Sequence, residues 1–251
     1  MVIDEKKCIG CGICVPYCPA DAISITQTPS GKKAAINQSL CLECGNCIRP
    51  RVVKCPVSAI YELAPEARSD GRKLRRFFSD PSTTHPLTGV PGRGTEEVKT
   101  NDVTGRVCRG ELGICLEMGR PSVSTSVREI EKVTMALATI GIELEQCNPL
   151  SEMLADTKTG RFKAEYLDEM FVSAIVEFTI PFEKGEEVLN KCRELADIVD
   201  TVFSLDLMGC YDADGTLPAN ALCHSLGIIP RPNCKVNLGM GRPFRIERQE
   251  V

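Results

Sequence analysis

The sequence predicts an α+β protein in two unequal parts. A small cysteine-rich unit spans residues 1–63. A larger split-βαβ sandwich spans residues 106–251, and residues 64–105 connect the two. Three observations carry this division. A four-cysteine motif occurs twice before residue 63. Proline and glycine accumulate, and apolar residues thin out, over residues 64–105. Beyond residue 106, strand-like and helix-like periodicities alternate as β-α-β, an insertion, then β-α-β.

The first motif, "CIGCGICVPYCP", places Cys8, Cys11, Cys14 and Cys18 at C-x2-C-x2-C-x3-C, with Pro19 following. The second, "CLECGNCIRPRVVKCP", places Cys41, Cys44, Cys47 and Cys55 at C-x2-C-x2-C-x7-C, with Pro56 following. The first three cysteines of each copy are offset by 33 residues. Cys18-Pro19 and Ala22-Ile23 match Cys55-Pro56 and Ala59-Ile60 at an offset of 37, so the second copy carries a four-residue insertion. Structural zinc sites favour two close pairs separated by a longer loop. Here three thiols follow one another on a single tight loop, which suits an iron–sulfur cluster. Gly10, Gly12 and Gly45 let the backbone turn closely and aim N–H groups at cluster sulfur. The prolines redirect the chain out of each loop. "AISI" and "AAIN" flank the turn-rich "TQTPSGKK" and read as a hairpin, and "AIYEL" reads as a further strand.

On these motifs, residues 1–63 resemble the bacterial-type ferredoxin module that carries two [4Fe–4S] clusters. In that family the fourth ligand of each cluster comes from the other motif. The resemblance implies Cys8, Cys11, Cys14 and Cys55 for cluster I, and Cys41, Cys44, Cys47 and Cys18 for cluster II. The insert "IRPRVVK" departs from the shortest family pattern. Its Arg49, Arg51 and Lys54 form either a solvated loop or a partner-docking element, and would raise the potential of a nearby cluster.

The connector holds Pro65, Pro81, Pro86 and Pro91 with Gly71, Gly89, Gly92 and Gly94. Its basic run, Arg72, Lys73, Arg75 and Arg76 before Phe77 and Phe78, is expected to pack on or dock to protein. The polar stretch "GRGTEEVKTNDVTGR" is long enough to order across a partner or between the two parts. No nucleotide-binding fingerprint is present.

In residues 106–251, "RVCRGELGICLEMG" reads as a strand. "SVREIEKVTMALATIG" reads as a helix with Val127, Ile130, Val133, Leu137 and Ile140 on one face, a capping box at Ser126 and Glu129, and a stop at Gly141. "IELEQC" and "FVSAIVEFTI" read as strands, "KGEEVLNKCRELADIVD" as a helix and "TVFSLDLM" as a closing strand. "KAEYLDEM" adds a helix in the insertion. The resulting topology is ferredoxin-like in the fold sense, which fixes no function.

Several residues here invite a role. "EMGRP" recurs as "GMGRP", and Arg120 and Arg242 could grip an anion, although shared turn residues explain the echo as well. Cys210, Cys223, His224 and Cys234 follow no trusted metal spacing. Cys192 falls on an apolar helix face, and Cys108, Cys115 and Cys147 carry no motif. Asp206, Asp212 and Asp214 fit a polar turn better than an acid–base site, and His85 lies in a loop.

A net charge of −4 and one short basic run argue against a nucleic-acid partner. No apolar run approaches the roughly 18 residues that span a bilayer, and the charged start lacks a secretory apolar core. Fifteen cysteines, eight of them at metal-ligand spacings, without that signal, imply a cytoplasmic metal protein rather than a disulfide scaffold, and a low-oxygen setting. The expected function is an electron-transfer subunit, relaying single electrons from a low-potential donor to a partner redox enzyme. Residues 92–210 also resemble 6-hydroxynicotinate reductase-type iron–sulfur proteins, which implies a ferredoxin-fused reductase as an alternative. A redox-sensing regulatory protein is a third reading. Anaerobically isolated protein is expected to hold about eight iron and eight sulfide per chain. Four iron, or zinc, would overturn the duplicated-cluster reading.

Overall fold

The computed structural model describes residues 1–49, 52–84, 107–120, 124–146 and 148–230. Strand β1 (Val2–Ile3) pairs antiparallel with β4 (Ile60–Tyr61), and the hairpin β2 (Ile23–Thr28) and β3 (Gly31–Ile36) lies between them in sequence. The hairpin strands are longer than the sequence pattern suggests, because Pro29 and Ser30 alone make the turn. Around this frame the duplication is visible in the backbone. Cys8 N–H donates to the Asp4 carbonyl, and Cys41 N–H to that of Asn37, 33 residues on. Asp21 and Ser58, offset by 37, share a φ of 47°.

The stretch expected to be a plain connector contains helix α1 (Asp70–Ser79). Ser69 caps it by accepting from Arg72 N–H, Asp70 sits in the first turn and Arg76 in the last. Sparse apolar content hid this helix. Its buried face is built from Arg75, Phe78 and Ser79, so a hydrophobic stripe is almost missing. The helix docks the two parts together. Toward the larger part, Phe78 stacks on Phe171 with ring centroids 4.4 Å apart, and Ser79 Oγ accepts from Val172 N–H. Toward the cysteine-rich part, its arginines reach the second cysteine loop.

The larger part is a mixed helix–strand unit. It runs β5 (Glu111–Met118), β6 (Thr125–Ser126), α2 (Val127–Ala138), β7 (Leu154–Asp156), β8 (Arg161–Phe162), β9 (Met170–Phe171), β10 (Ala174–Pro181), α3 (Gly185–Ala196), β11 (Phe203–Met208) and α4 (Pro218–Ser225). Its main sheet has the antiparallel order β10-β5-β11. Leu112, Ile114, Leu116 and Met118 alternate on one face of β5. They are buried with Ile130, Val133 and Leu137 of α2, and with Val188, Cys192 and Leu195 of α3. Both helices lie where the periodicity put them, and Cys192 is core, its thiol pushed up to about 12 by burial.

Among the described residues, the main sheet has three strands where the sequence pattern leads one to expect four. Among the described residues, "IELEQC" forms no strand and touches the edge of β10 through one backbone bond, Glu145 N–H to the Glu177 carbonyl. Asn148 takes the next acceptor on that edge, donating from its side chain to Ile175. A side-chain amide thus replaces further ladder pairing. "KAEYLDEM" makes only a single tight turn over Ala164–Tyr166 rather than a helix. The capping box is half made. Ser126 accepts from Glu129 N–H, but the Glu129 carboxylate caps Asp200 N–H instead.

The sheet face opposite α2 and α3 is unexpectedly polar. Asp206 lies in β11, not in a turn, opposite Cys115, which in turn lies opposite Glu177. Glu177 and Glu117 are buried, and Arg120 Nη1 donates to Glu117 at 2.7 Å. Arg242, its proposed companion, lies outside the described residues, as do Arg51, His85, Cys147, Cys234 and the stretch 92–106. Arg75 is 4% exposed and bonds to both parts at once. Arg75→Met is expected to lower stability by about 3–5 kcal/mol, because it strands a partner charge and several carbonyls. A fall in thermal midpoint of the loaded protein checks this.

Candidate iron–sulfur sites

The eight motif cysteines surround two separate cavities. Cys8, Cys11, Cys14 and Cys55 line the first, with Ile3, Ile13, Val53 and Ile60 among its apolar walls. Cys18, Cys41, Cys44 and Cys47 line the second, with Met1, Ile23 and Leu42. Each cavity therefore takes three thiols from one motif and the last from the other. No disulfide links any of them. Among the described residues, no group of three or more Cys, His, Asp or Glu converges on a point that would hold a single metal ion.

The loops reach this shape through left-handed backbone. Gly10 has φ 68°, and a Cβ there would lie 2.3 Å from the Lys32 carbonyl oxygen, so only glycine fits against the hairpin. The matching position in the second copy is Glu43, at φ 56°. A non-glycine residue there is strained, and its partners compensate. The buried Glu43 carboxylate takes the amino group of Met1 at 2.7 Å and Arg72 at 2.5 Å. No motif in the sequence marks Glu43 for this role.

Backbone N–H groups already point at the thiols. Ala22 donates to Cys18 Sγ at 3.2 Å, and its counterpart Ala59 to Cys55 Sγ at 3.3 Å. Ala34 donates to Cys8 Sγ at 3.3 Å. At Cys55, burial pushes the thiol up, but the backbone N–H groups of Ala59, Val57, Ile60 and Ser58 outweigh it and hold the thiol below its ordinary value. The opposite holds deeper in. Burial, then the neighbouring Cys11, Cys8 and Cys55, pushes Cys14 up. Burial, then Cys44, Cys41 and Cys18, pushes Cys47 up to about 12. Burial likewise raises Cys44. Such crowded thiols become thiolates only when a cationic centre neutralises them. Four thiols, apolar walls and inward N–H donors together fit an iron–sulfur cluster.

Helix α1 braces the second cavity. Arg75 Nη1 donates to the carbonyls of Cys41 and Ser39, both at 2.9 Å, while its Nε pairs with Glu169 at 2.7 Å. Arg72 also reaches the Cys41 carbonyl, at 3.3 Å, and Arg76 that of Glu43, at 2.9 Å. Arg49, from the insert, donates to Asn46 and pairs with the buried Asp80 at 2.5 Å. Although burial raises Asp80, the Ser82 donors and then Arg76 and Arg49 hold its carboxyl below its usual range. The charge of Arg49 is thus offset by Asp80 rather than left free near a cluster.

Elsewhere the candidate groups separate. Cys210 Sγ donates to the Val107 carbonyl at 3.5 Å, Cys223 is buried on α4, and His224 is exposed beside it. Asp214 accepts from Thr216 within a turn, and Asp212 closes the same turn through its backbone, donating to the Thr216 carbonyl and accepting from Gly215 N–H.

The 4Fe-4S binding domain family matches residues 1–24. The chain is 35% identical over 77 residues to an uncharacterised ferredoxin of Methanocaldococcus jannaschii, covering 95% of that protein and 30% of this one. It is 38% identical over 104 residues to a ferredoxin of Pyrobaculum islandicum, covering 91% of that protein and 36% of this one. No solved structure matches. These matches define an iron–sulfur electron carrier. The chain belongs to the ferredoxins, with a 4Fe–4S ferredoxin domain at its N-terminus. Nothing in them bears on the resemblance to 6-hydroxynicotinate reductases. Cys18→Ser is expected to deplete the second cavity's iron while sparing the first, read by iron analysis and Mössbauer spectra. Selective loss from the first cavity would reverse the ligand assignment.

Proposed function

We propose that this ferredoxin carries two [4Fe–4S] clusters and relays single electrons from a low-potential donor to a partner redox enzyme. Cys8, Cys11, Cys14 and Cys55 would hold the first cluster. Cys41, Cys44, Cys47 and Cys18 would hold the second. The observation that carries this is the grouping of thiols around two cavities, each completed by the other motif's last cysteine. When bound, such clusters supply one-electron chemistry. The chain's own residues bury them, aim N–H donors at their thiolates and fix the spacing of the two cavities, with no acid–base chemistry required.

Residues 106–251 serve this reading as a partner- or substrate-binding body, tied to the cysteine-rich unit through α1. A cytoplasmic location agrees with the absence, among the described residues, of any helix long and apolar enough to cross a membrane. The test is an anaerobic redox titration followed by electron paramagnetic resonance. About two electrons per chain, with the signal of two magnetically interacting centres, are expected. Uptake of one electron, or an isolated-centre spectrum in a chain with full iron, would overturn the two-cluster relay.

A further inference from the structure

The duplication lets the two cysteine loops be compared position by position. Ile9 corresponds to Leu42, Cys11 to Cys44 and Ile13 to Asn46. Ile9 is 59% exposed, whereas Leu42 is 3% exposed. Cys11 is exposed and Cys44 half-buried. Ile13 is 44% exposed, while the polar Asn46 in its place accepts from Arg49. Ile25, also exposed, stands beside the first loop, 3.9 Å from where a Cβ on Gly12 would be.

Helix α1 accounts for the difference. Its arginines lie over the second loop, so close that a Cβ on Gly45 would meet Arg76 Nη1 at 2.7 Å. Among the described residues, no helix covers the first loop in this way. Single exposed apolar residues are ordinary. Three around one exposed ligand-type cysteine, where the paired loop buries or replaces its counterparts, form a patch.

The charge around the patch differs from that of the chain. Lys6, Lys7 and Lys32 are exposed at its edge, and Lys33 Nζ donates to the Cys8 carbonyl at 2.5 Å. The nearby carboxylates are Asp4, which faces Lys7 at 3.8 Å, and Glu5. The edge is net positive on a chain of net charge −4.

We propose that the Ile9, Ile13 and Ile25 face beside Cys11 is the docking surface for a separate redox protein with an apolar centre ringed by carboxylates. The second loop faces the chain's own larger part instead. This rests on the electron-carrier reading above. A small apolar patch with a charged rim suits a transient encounter: it is specific in orientation and quick to release.

The test uses the full, anaerobically loaded chain and flavodoxin, an acidic redox protein with an apolar flavin edge, as the probe. Saturable binding is expected to tighten as salt is lowered. Ile9→Ser with Ile13→Ser should weaken it about tenfold, as loss of a central apolar contact does. Lys6→Glu with Lys32→Glu should weaken it at low salt and reduce the salt dependence. Leu40→Ser, an exposed position before the second loop, should leave it unchanged. Basic cytochrome c should bind no more tightly after the isoleucine change than before. Iron per chain is measured on every sample. Full iron with no flavodoxin binding, or with binding indifferent to the isoleucine pair, overturns the surface alone. Missing iron in the unaltered chain sinks the electron-carrier reading and the surface with it. A concentration-dependent dimer of this chain that the isoleucine pair abolishes would also overturn the proposal.

Discussion

The architecture depends on the guanidinium of Arg75. It sits almost fully buried between the Cys41 loop and Glu169, and donates to carbonyls on one side and a carboxylate on the other. A buried cation is costly unless every donor finds an acceptor and its charge is balanced. Arg75 meets both conditions only when the loop, the helix and the larger part are in place together. Lysine could not substitute, because its single ammonium lacks the planar fork that serves several acceptors at once.

The neighbouring arginines extend the same arrangement. Arg72 and Arg76 hold carbonyls of the second loop, and Glu43, Glu62 and Asp80 balance them. The strained left-handed Glu43 is therefore kept by its charge partners, where the first copy uses glycine. Two halves of one duplication reach the same backbone shape by different means. One relies on the missing side chain of Gly10, and the other on a buried ion-pair network.

This difference gives the two cavities different surroundings. The first opens to solvent beside exposed isoleucines, and the second lies beneath a helix that also packs on the larger part through Phe78 and Phe171. A symmetric cysteine pattern thus sits in an asymmetric protein. The asymmetry comes from α1, a helix whose sequence looked like a basic, loop-forming stretch.

The sequence by itself determined the cysteine unit, because the cysteine spacing within each motif, the glycine turns and the post-cysteine prolines are all local in the chain. It also determined α2, α3, β5, β10 and β11, whose apolar periodicity is strong. Tertiary structure alone decided the rest. The fourth strand failed because Asn148 took a β10 carbonyl that pairing would have used. Helix α1 formed although only a few apolar residues support it, since its buried face is satisfied by hydrogen-bond and ion-pair partners 34 to 94 residues away. Asp206 lies in a strand because the β11 register sets it opposite Cys115, with Glu177 beyond on β10. Periodicity reports which residues avoid water. It cannot report which buried charges will find partners, and in this protein those partners fix how the iron–sulfur unit meets the remainder of the chain.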